Sequence, residues 1–340
     1  MLHLRTDGNA VIGTGHMMRC MEIARAYEKH IGPVQFLVAD EESKNFIESK
    51  GFSCYKLDSV WNDLNAEIPK LKQCKENCEI THLLIDSYFI TEEYVKAWKQ
   101  LGVKVAYLDD LCTKGYAFDA LFNGAVWAGE EVYKGLYDKA VTKLYLGCDY
   151  LPIRQEFAGV MPKEVRKKAE NVLVLSGGTD PCHFLKSFLE NLPKDMEKEW
   201  RYYLVCGIFN EDYEEILKLA ENRENIHILR NVSNLYEYMI QADAAISAGG
   251  MTLYELCACG TPAITYLLAD NQQGNIEGFL EKDIFETIGD IRDGICFETL
   301  FSKLSGLLND YENREKKARR IQKLVDGKGA YRIAKALESL

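Results

Sequence analysis

Short apolar runs alternate with amphipathic stretches along nearly the whole chain. In the first half the runs are Leu2–Arg5, Val34–Val38, Ser53–Leu57, His82–Ile85, Val103–Leu108, Leu121–Phe122 and Leu144–Leu146. Their length suits strands, and the spacing of apolar positions between them predicts helices near His16–His30, Glu42–Lys50, Val60–Lys75 and Glu92–Leu101. Asp149–Lys163, which carries Pro152, Gly159 and Pro162, breaks the alternation and reads as a linker. The pattern then restarts with strands at Asn171–Leu175, Arg201–Val205, Ile226–Leu229, Ala244–Ser247 and Ala263–Leu267, and helices beginning at Cys182, Asp212, Ser233 and Leu253. Helices at Asp310–Val325 and Ala330–Leu340 close the chain.

Strands alternating with helices define an α/β protein with parallel sheets. The break divides it into two Rossmann-like, doubly wound domains, residues 1–150 and 151–325, with a C-terminal helix at 326–340 that can pack back on the first domain. Two such domains in tandem are expected to leave an interdomain cleft at their strand C-terminal edges, where ligands bind in this class.

Composition narrows the picture. A chain of 340 residues with 47% hydrophobic and 27% charged residues is long and apolar enough for two packed cores. A formal net charge of -11 repels phosphate backbones, so nucleic acid is not an expected partner, and any phosphate ligand needs a local pocket. The apolar runs are too short to span a bilayer, so no membrane insertion is expected. The opening MLHLRTDG reads as strand and turn rather than a leader, and eleven scattered cysteines suit a reducing compartment, so the expected location is cytoplasmic.

Three strand–glycine–helix junctions follow expected strands: Gly13-Thr14-Gly15, Gly177-Gly178-Thr179, and Ala248-Gly249-Gly250-Met251-Thr252. Glycine lets a backbone approach a ligand closely, and free N–H groups at a helix start attract anions. Each junction taken alone also fits ordinary turn chemistry. The first is neither a dinucleotide fingerprint, with Met18 where the third glycine belongs, nor a Walker A loop. Glu255, about one helical turn past the third junction, is placed either to accept bonds from a ribose diol or to charge the first turn of its helix. Asn271-Gln272 is either a polar helix start or a source of amide contacts to sugar or phosphate.

His16 begins a helix directly after Gly-Thr-Gly, where the positive helix end disfavours an imidazolium. Two readings stand: a general base that activates water or a hydroxyl, or a helix-start histidine bonded to backbone. Asp7 either orients His16 or is a plain turn aspartate. Asp109-Asp110 ends a strand and is given a substrate-hydroxyl or structural role. No carboxylate or histidine cluster has divalent-metal spacing, so neither metal nor cofactor is expected.

In combination these segments resemble a known family. Arg5-Thr6-Asp7 through Gly13-Thr14-Gly15-His16 and Arg19, Leu84-Ile85-Asp86-Ser87-Tyr88, Leu146-Gly147 through Phe157, Gly177-Gly178-Thr179-Asp180-Pro181, Gly249 through Glu255, Asn271-Gln272 and Val325 through Ala330 match, in order, the UDP-2,4-diacetamido-2,4,6-trideoxy-β-L-altropyranose hydrolases of pseudaminic acid biosynthesis. The chain is also similar to spore-coat polysaccharide proteins, and its second half resembles the peptidoglycan N-acetylglucosaminyltransferase that makes lipid II. The resemblance implies the GT-B fold and a UDP-sugar substrate. It further implies hydrolysis with inversion, His16 as the base and Tyr88 lining the sugar site. It extends the candidate binding set to Arg5, Arg19, Asp109, Arg154 and Val232, beside the glycine junctions, Glu255, Asn271 and Gln272. The family commonly has histidine where this chain has Ser87. An inverting glycosyltransferase, with a hydroxyl in place of water, is the alternative, and a non-catalytic nucleotide-sugar-binding module is the third reading.

Overall fold

A computed structural model describes residues 1–340 except Ala10, Asn231 and Ser233. The chain forms two compact units, Met1–Gln155 with Gly327–Leu340, and Glu156–Asp326. The first unit runs β1 (Leu2–Thr6), α1 (Gly15–His30), β2 (Val34–Val38), α2 (Glu41–Ser49), β3 (Ser53–Lys56), α3 (Leu71–Cys78), β4 (His82–Asp86), α4 (Glu92–Gln100), β5 (Lys104–Leu108), β6 (Ala120–Asn123) and β7 (Lys143–Leu146). The second runs β8 (Asn171–Leu175), α5 (Phe184–Asn191), α6 (Lys194–Glu199), β9 (Arg201–Cys206), α7 (Tyr213–Ala220), β10 (Ile226–Arg230), α8 (Leu235–Gln241), β11 (Ala244–Ala248), α9 (Thr252–Ala258), β12 (Ala263–Leu267), α10 (Gln273–Glu281), β13 (Glu286–Asp290), α11 (Phe297–Asn309) and α12 (Tyr311–Gln322). Helix α13 (Gly329–Glu338) belongs to the first unit.

Both sheets are parallel, with orders β3-β2-β1-β4-β5-β6-β7 and β10-β9-β8-β11-β12-β13. Strands β1 and β8 are buried along their whole length, as strands covered on both faces are, and β1 buries His3, Arg5 and Thr6 beside its leucines. In the first unit Leu2, Leu4 and Leu84 pack on one face with Met17 and Met21 of α1 and Ile333 and Leu337 of α13. Leu83, Ile85 and Val105 face the other way onto Tyr94 and Trp98 of α4. In the second unit Val172, Val174 and Tyr266 pack with Phe184 and Phe188 of α5 and Leu300 and Leu304 of α11.

Helix starts follow side-chain caps. Asp40 accepts from the Ser43 N–H, Thr91 from Tyr94 and Asp310 from Asn313, each closing an otherwise open first turn. The single helix expected over Val60–Lys75 is absent. Asp63 instead caps a 3-10 turn at Leu64–Lys70 that contains Pro69, and α3 starts only at Leu71, because proline removes an N–H and crowds the preceding turn. The helix expected from Cys182 starts at Phe184, where both Asp180 oxygens cap it, from the N–H groups of Phe184 and Leu185. The expected start at Ser233 lies outside the described residues, and α8 begins at Leu235. Strand β13 and helices α6 and α11 are elements the sequence reading passed over.

In each sheet the strand order reverses beside the first strand, between β1 and β4 and between β8 and β11. Loops leaving neighbouring strands at such a point diverge to opposite faces and open a crevice, the usual ligand position in doubly wound sheets. The loops there are those after Thr6 and Asp86 in one unit and after Leu175 and Ala248 in the other.

Candidate active site

The first crevice holds a charged cluster. The loop after β1 turns tightly, with the Asn9 side chain accepting from the Val11 and Ile12 N–H groups and the Asn9 N–H donating to Gly13 O. This delivers Gly13, Thr14 and Gly15, all exposed, to the start of α1 and places His16 in its first turn. Across the crevice, β4 ends in Asp86, which is buried. His16 Nδ1 lies 2.6 Å from Asp86 Oδ1. Two atoms this close need a proton between them, so Nδ1 carries the hydrogen and donates it, and a neutral ring then keeps its lone pair on Nε2.

Asp86 is held from its other side by Arg19, whose Nε donates to Oδ2 at 2.6 Å and whose Nη2 donates to Oδ1 at 2.5 Å. Burial alone would push the Asp86 carboxyl up, but Arg19 and His16 hold it well below the usual carboxylate range. Arg19 Nη1 also donates to Asp110 Oδ2 at 2.9 Å, and the same oxygen accepts from the Tyr88 hydroxyl at 3.0 Å. Burial, then the Asp110 charge, push the Tyr88 phenol up, so it stays a donor. Its ring stands edge-on to the His16 ring, centroids 4.6 Å apart. His16, Asp7, Asp86, Ser87 and Tyr88, with Ile12, Trp61 and Phe89, wall a narrow recess of about 10 Å³. The Trp61 and Phe89 rings meet edge to face at 5.2 Å.

The structure decides between alternatives at Asp7 and Asp109 and corrects the expectation for Arg5. Asp7 does not orient His16: one of its oxygens accepts from the Ala39 N–H at 2.7 Å and the other pairs with Arg5. Arg5 is fully buried, its guanidinium bonded to Glu67 and Asp7, while Glu67 also accepts from Tyr94 and Ser59. That side chain is structural and out of reach of a ligand. Asp109 is likewise buried, accepting from the Leu111 and Cys112 N–H groups and the Tyr133 hydroxyl, which leaves the structural alternative. The residue missed is Asp86, as the partner of His16; Asp110, read with Asp109 as a substrate-hydroxyl or structural group, accepts from Arg19 and Tyr88. A charged residue ending an otherwise apolar strand, as in His-Leu-Leu-Ile-Asp, is the available signal. Arg154, half-buried after β7, is not among the recess walls.

The second crevice is built from backbone. Gly177 takes φ +84°, a left-handed conformation that side chains resist, and Gly177, Gly178 and Thr179 are exposed past the end of β8. Gly207, after β9, packs so closely on Gly178 that a Cβ there would lie 2.0 Å from the Gly178 carbonyl oxygen. Ala248 ends β11, and the Gly249 carbonyl accepts from Asn275 Nδ2, whose Oδ1 accepts from the Tyr254 hydroxyl at 2.6 Å. Gln272 Oε1 accepts from the Leu268 N–H at 3.1 Å. Met251 is exposed, and Gly250, Thr252, Glu255 and Val232 are half-buried; Asn271 is exposed at the turn before α10. Gly207 and Asn275 are parts of this crevice that the sequence reading did not single out.

Residues 171–335 match the glycosyltransferase family 28 C-terminal domain. The chain is 24% identical over 340 residues to the spore coat polysaccharide biosynthesis protein SpsG of Bacillus subtilis, covering 98% of this chain and 96% of SpsG. It is 26% identical over 283 residues to the UDP-2,4-diacetamido-2,4,6-trideoxy-β-L-altropyranose hydrolase of Campylobacter jejuni, covering 82% and 95%. An uncharacterized protein of Methanocaldococcus jannaschii is 24% identical over 299 residues, and the match spans 85% of this chain but only 60% of that longer protein. Among solved structures, MurG of Acinetobacter baumannii superposes with a TM-score of 0.72 at 12% identity over the full length of both chains, a likeness of fold. The two Rossmann-like units are those of the GT-B class. The chain is glycosyltransferase-like and a distant relative of SpsG and of the hydrolase.

Proposed function

We propose that the protein hydrolyses a UDP-linked diacetamido-trideoxy sugar to UDP and free sugar. The observation that carries this reading is the His16–Asp86 pair, which leaves Nε2 as a base on the wall of a recess with aromatic sides. In the reaction, Nε2 takes a proton from water as the water oxygen attacks the anomeric carbon. The carbon–oxygen bond to the diphosphate breaks, UDP leaves with the electron pair, and the sugar inverts. His16 then returns the proton to solvent. The glycine turns after β8 and β11 take the diphosphate on backbone N–H groups, with Glu255 toward the ribose and Asn271 and Gln272 toward phosphate and sugar. Support for UDP and this sugar comes from the activity named for the Campylobacter jejuni relative.

The glycosyltransferase family 28 match favours a second reading, transfer to a sugar or lipid hydroxyl activated by the same base. Incubating the protein with a panel of UDP-sugars, without acceptor, separates the two. Multiple turnovers of UDP release from a diacetamido-trideoxy substrate support hydrolysis. Release only after an acceptor is added supports transfer. Binding of UDP with no release from any sugar on the panel, with or without acceptor, sinks both.

A further inference from the structure

We propose that Arg19 is a positioning residue that offsets the charge of Asp86 beside His16, and that it does not bind substrate. This rests on His16 being the base, as proposed above. Three N–H groups of the guanidinium are committed inside the protein, two to the two oxygens of Asp86 and one to Asp110, and Nη2 also lies 3.1 Å from His16 Nδ1. The Arg19 side chain is 21% exposed, so what remains is the back of a fork whose teeth already hold carboxylates.

The charged and titratable groups around the His16 ring come from every element that meets there. Asp86 comes from the end of β4 and Tyr88 from the loop after it; Arg19 and Cys20 from α1; Asp110 from the loop after β5; and Asp7 from the loop after β1. Asp7 is already paired with Arg5. Tyr88 is a neutral donor to Asp110, and burial together with Asp86 pushes the Cys20 thiol up, leaving it a neutral donor to Asp86. The ring therefore faces two carboxylates and one cation. Remove the cation and two negative charges remain, which would favour the imidazolium and block proton acceptance at Nε2. The same fork fixes both Asp86 oxygens, so Oδ1 stays where it receives the Nδ1 hydrogen.

The test compares the full-length wild type with Arg19→Gln and Arg19→Lys, in steady-state UDP release across pH and in calorimetric UDP binding. In Arg19→Gln the acid-side loss of activity is expected to move up by about one pH unit, because a nearby like charge that disfavours the imidazolium is lost. KM and UDP affinity stay within about twofold, because no substrate contact is lost. Arg19→Lys, which keeps the charge but not the fork, returns the acid limb toward its wild-type position with kcat still lowered. A fall of about tenfold or more in substrate or UDP affinity, with the acid limb unmoved, would make Arg19 a ligand contact and overturn the proposal. So would variants indistinguishable from wild type.

Nitrogen-15 spectra of the His16 ring in the intact protein test the same claim without turnover. They are expected to show the Nδ1–H form of the neutral ring, with the ring titrating at higher pH in Arg19→Gln. An Nε2–H form, with Nδ1 accepting from Arg19, overturns the proposal, as does an unmoved titration. If the protein releases no UDP but the spectra behave as expected, the hydrolase reading fails and the role of Arg19 stands.

Discussion

His16 Nδ1 and Asp86 Oδ1 lie 2.6 Å apart although 70 residues separate them, because β1 and β4 are neighbours at the point where the sheet order reverses. The pair selects one tautomer, and Asp86→Asn tests that selection. An asparagine must turn its NH₂ either toward His16, which forces the proton onto Nε2, or toward Arg19, which replaces an acceptor by a donor. The first choice removes the base, and the second sets two donors against each other and loosens the fork that holds the pair. Turnover is expected to fall by roughly 10² to 10⁴-fold with KM little changed, in line with losing an oriented base. Steady-state UDP release from the natural substrate measures it, and an unaltered kcat would dismiss the pair as structural.

His16→Asn keeps a side chain of similar reach but no group that accepts a proton at Nε2. Turnover is expected to drop by about 10²-fold or more, while UDP binding by calorimetry stays near wild type because the diphosphate contacts proposed lie in the other unit. Near-full activity would remove His16 from the base role.

How much of this was legible beforehand depends on whether the cause is local. The position of His16 after Gly-Thr-Gly, and the glycine turns after β8 and β11, are local patterns, and the structure has them at crevices. The partner of His16 is not local. Asp86 reads as the end of an apolar strand, and only the sheet order brings it to α1. Arg5 stands two residues before Asp7 in a suggestive motif, but Glu67, its partner, sits on a proline-containing 3-10 turn that periodicity reads as ordinary helix. Strand β13, Glu-Thr-Ile-Gly-Asp, is an edge strand with three of its five residues polar and a glycine inside, so no apolar run announces it. Helix α11 was legible, since Phe297, Leu300, Phe301, Leu304, Leu307 and Leu308 keep helical spacing, and it was passed over.

Gly207 and Gly178 separate packing from ligand approach. A methyl at Gly207 would collide with the backbone of Gly178, which cannot swing away as a side chain can. Gly207→Ala is expected to cost about 1–3 kcal/mol of stability, seen as a lower Tm, and to weaken UDP binding as the turn shifts. Gly178→Ala meets nothing within 4 Å, so its Tm should stay close to wild type while UDP affinity falls by about tenfold, because the diphosphate needs that backbone bare. If Gly178→Ala binds UDP as tightly as wild type, the turn does not hold the diphosphate.

The pH dependence of stability should carry a contribution from His3, buried near the start of β1. Burial, helped by the charge of the N-terminal amine, lowers its pKa from 6.5 to about 4. As pH falls through 6.5 the unfolded chain takes up a proton that the folded chain refuses until about 4. The stability tied to the neutral ring is therefore complete above 6.5 and is lost progressively between there and 4, up to about 3 kcal/mol at the lower end. His3→Gln does not titrate and should lose less stability than wild type over that window, whatever its stability at neutral pH. Carboxylates contribute equally to both proteins, so the difference between their urea midpoints at pH 6.5 and pH 4 isolates His3. Parallel pH profiles for the two proteins would show that the ring is not held neutral in the folded sheet.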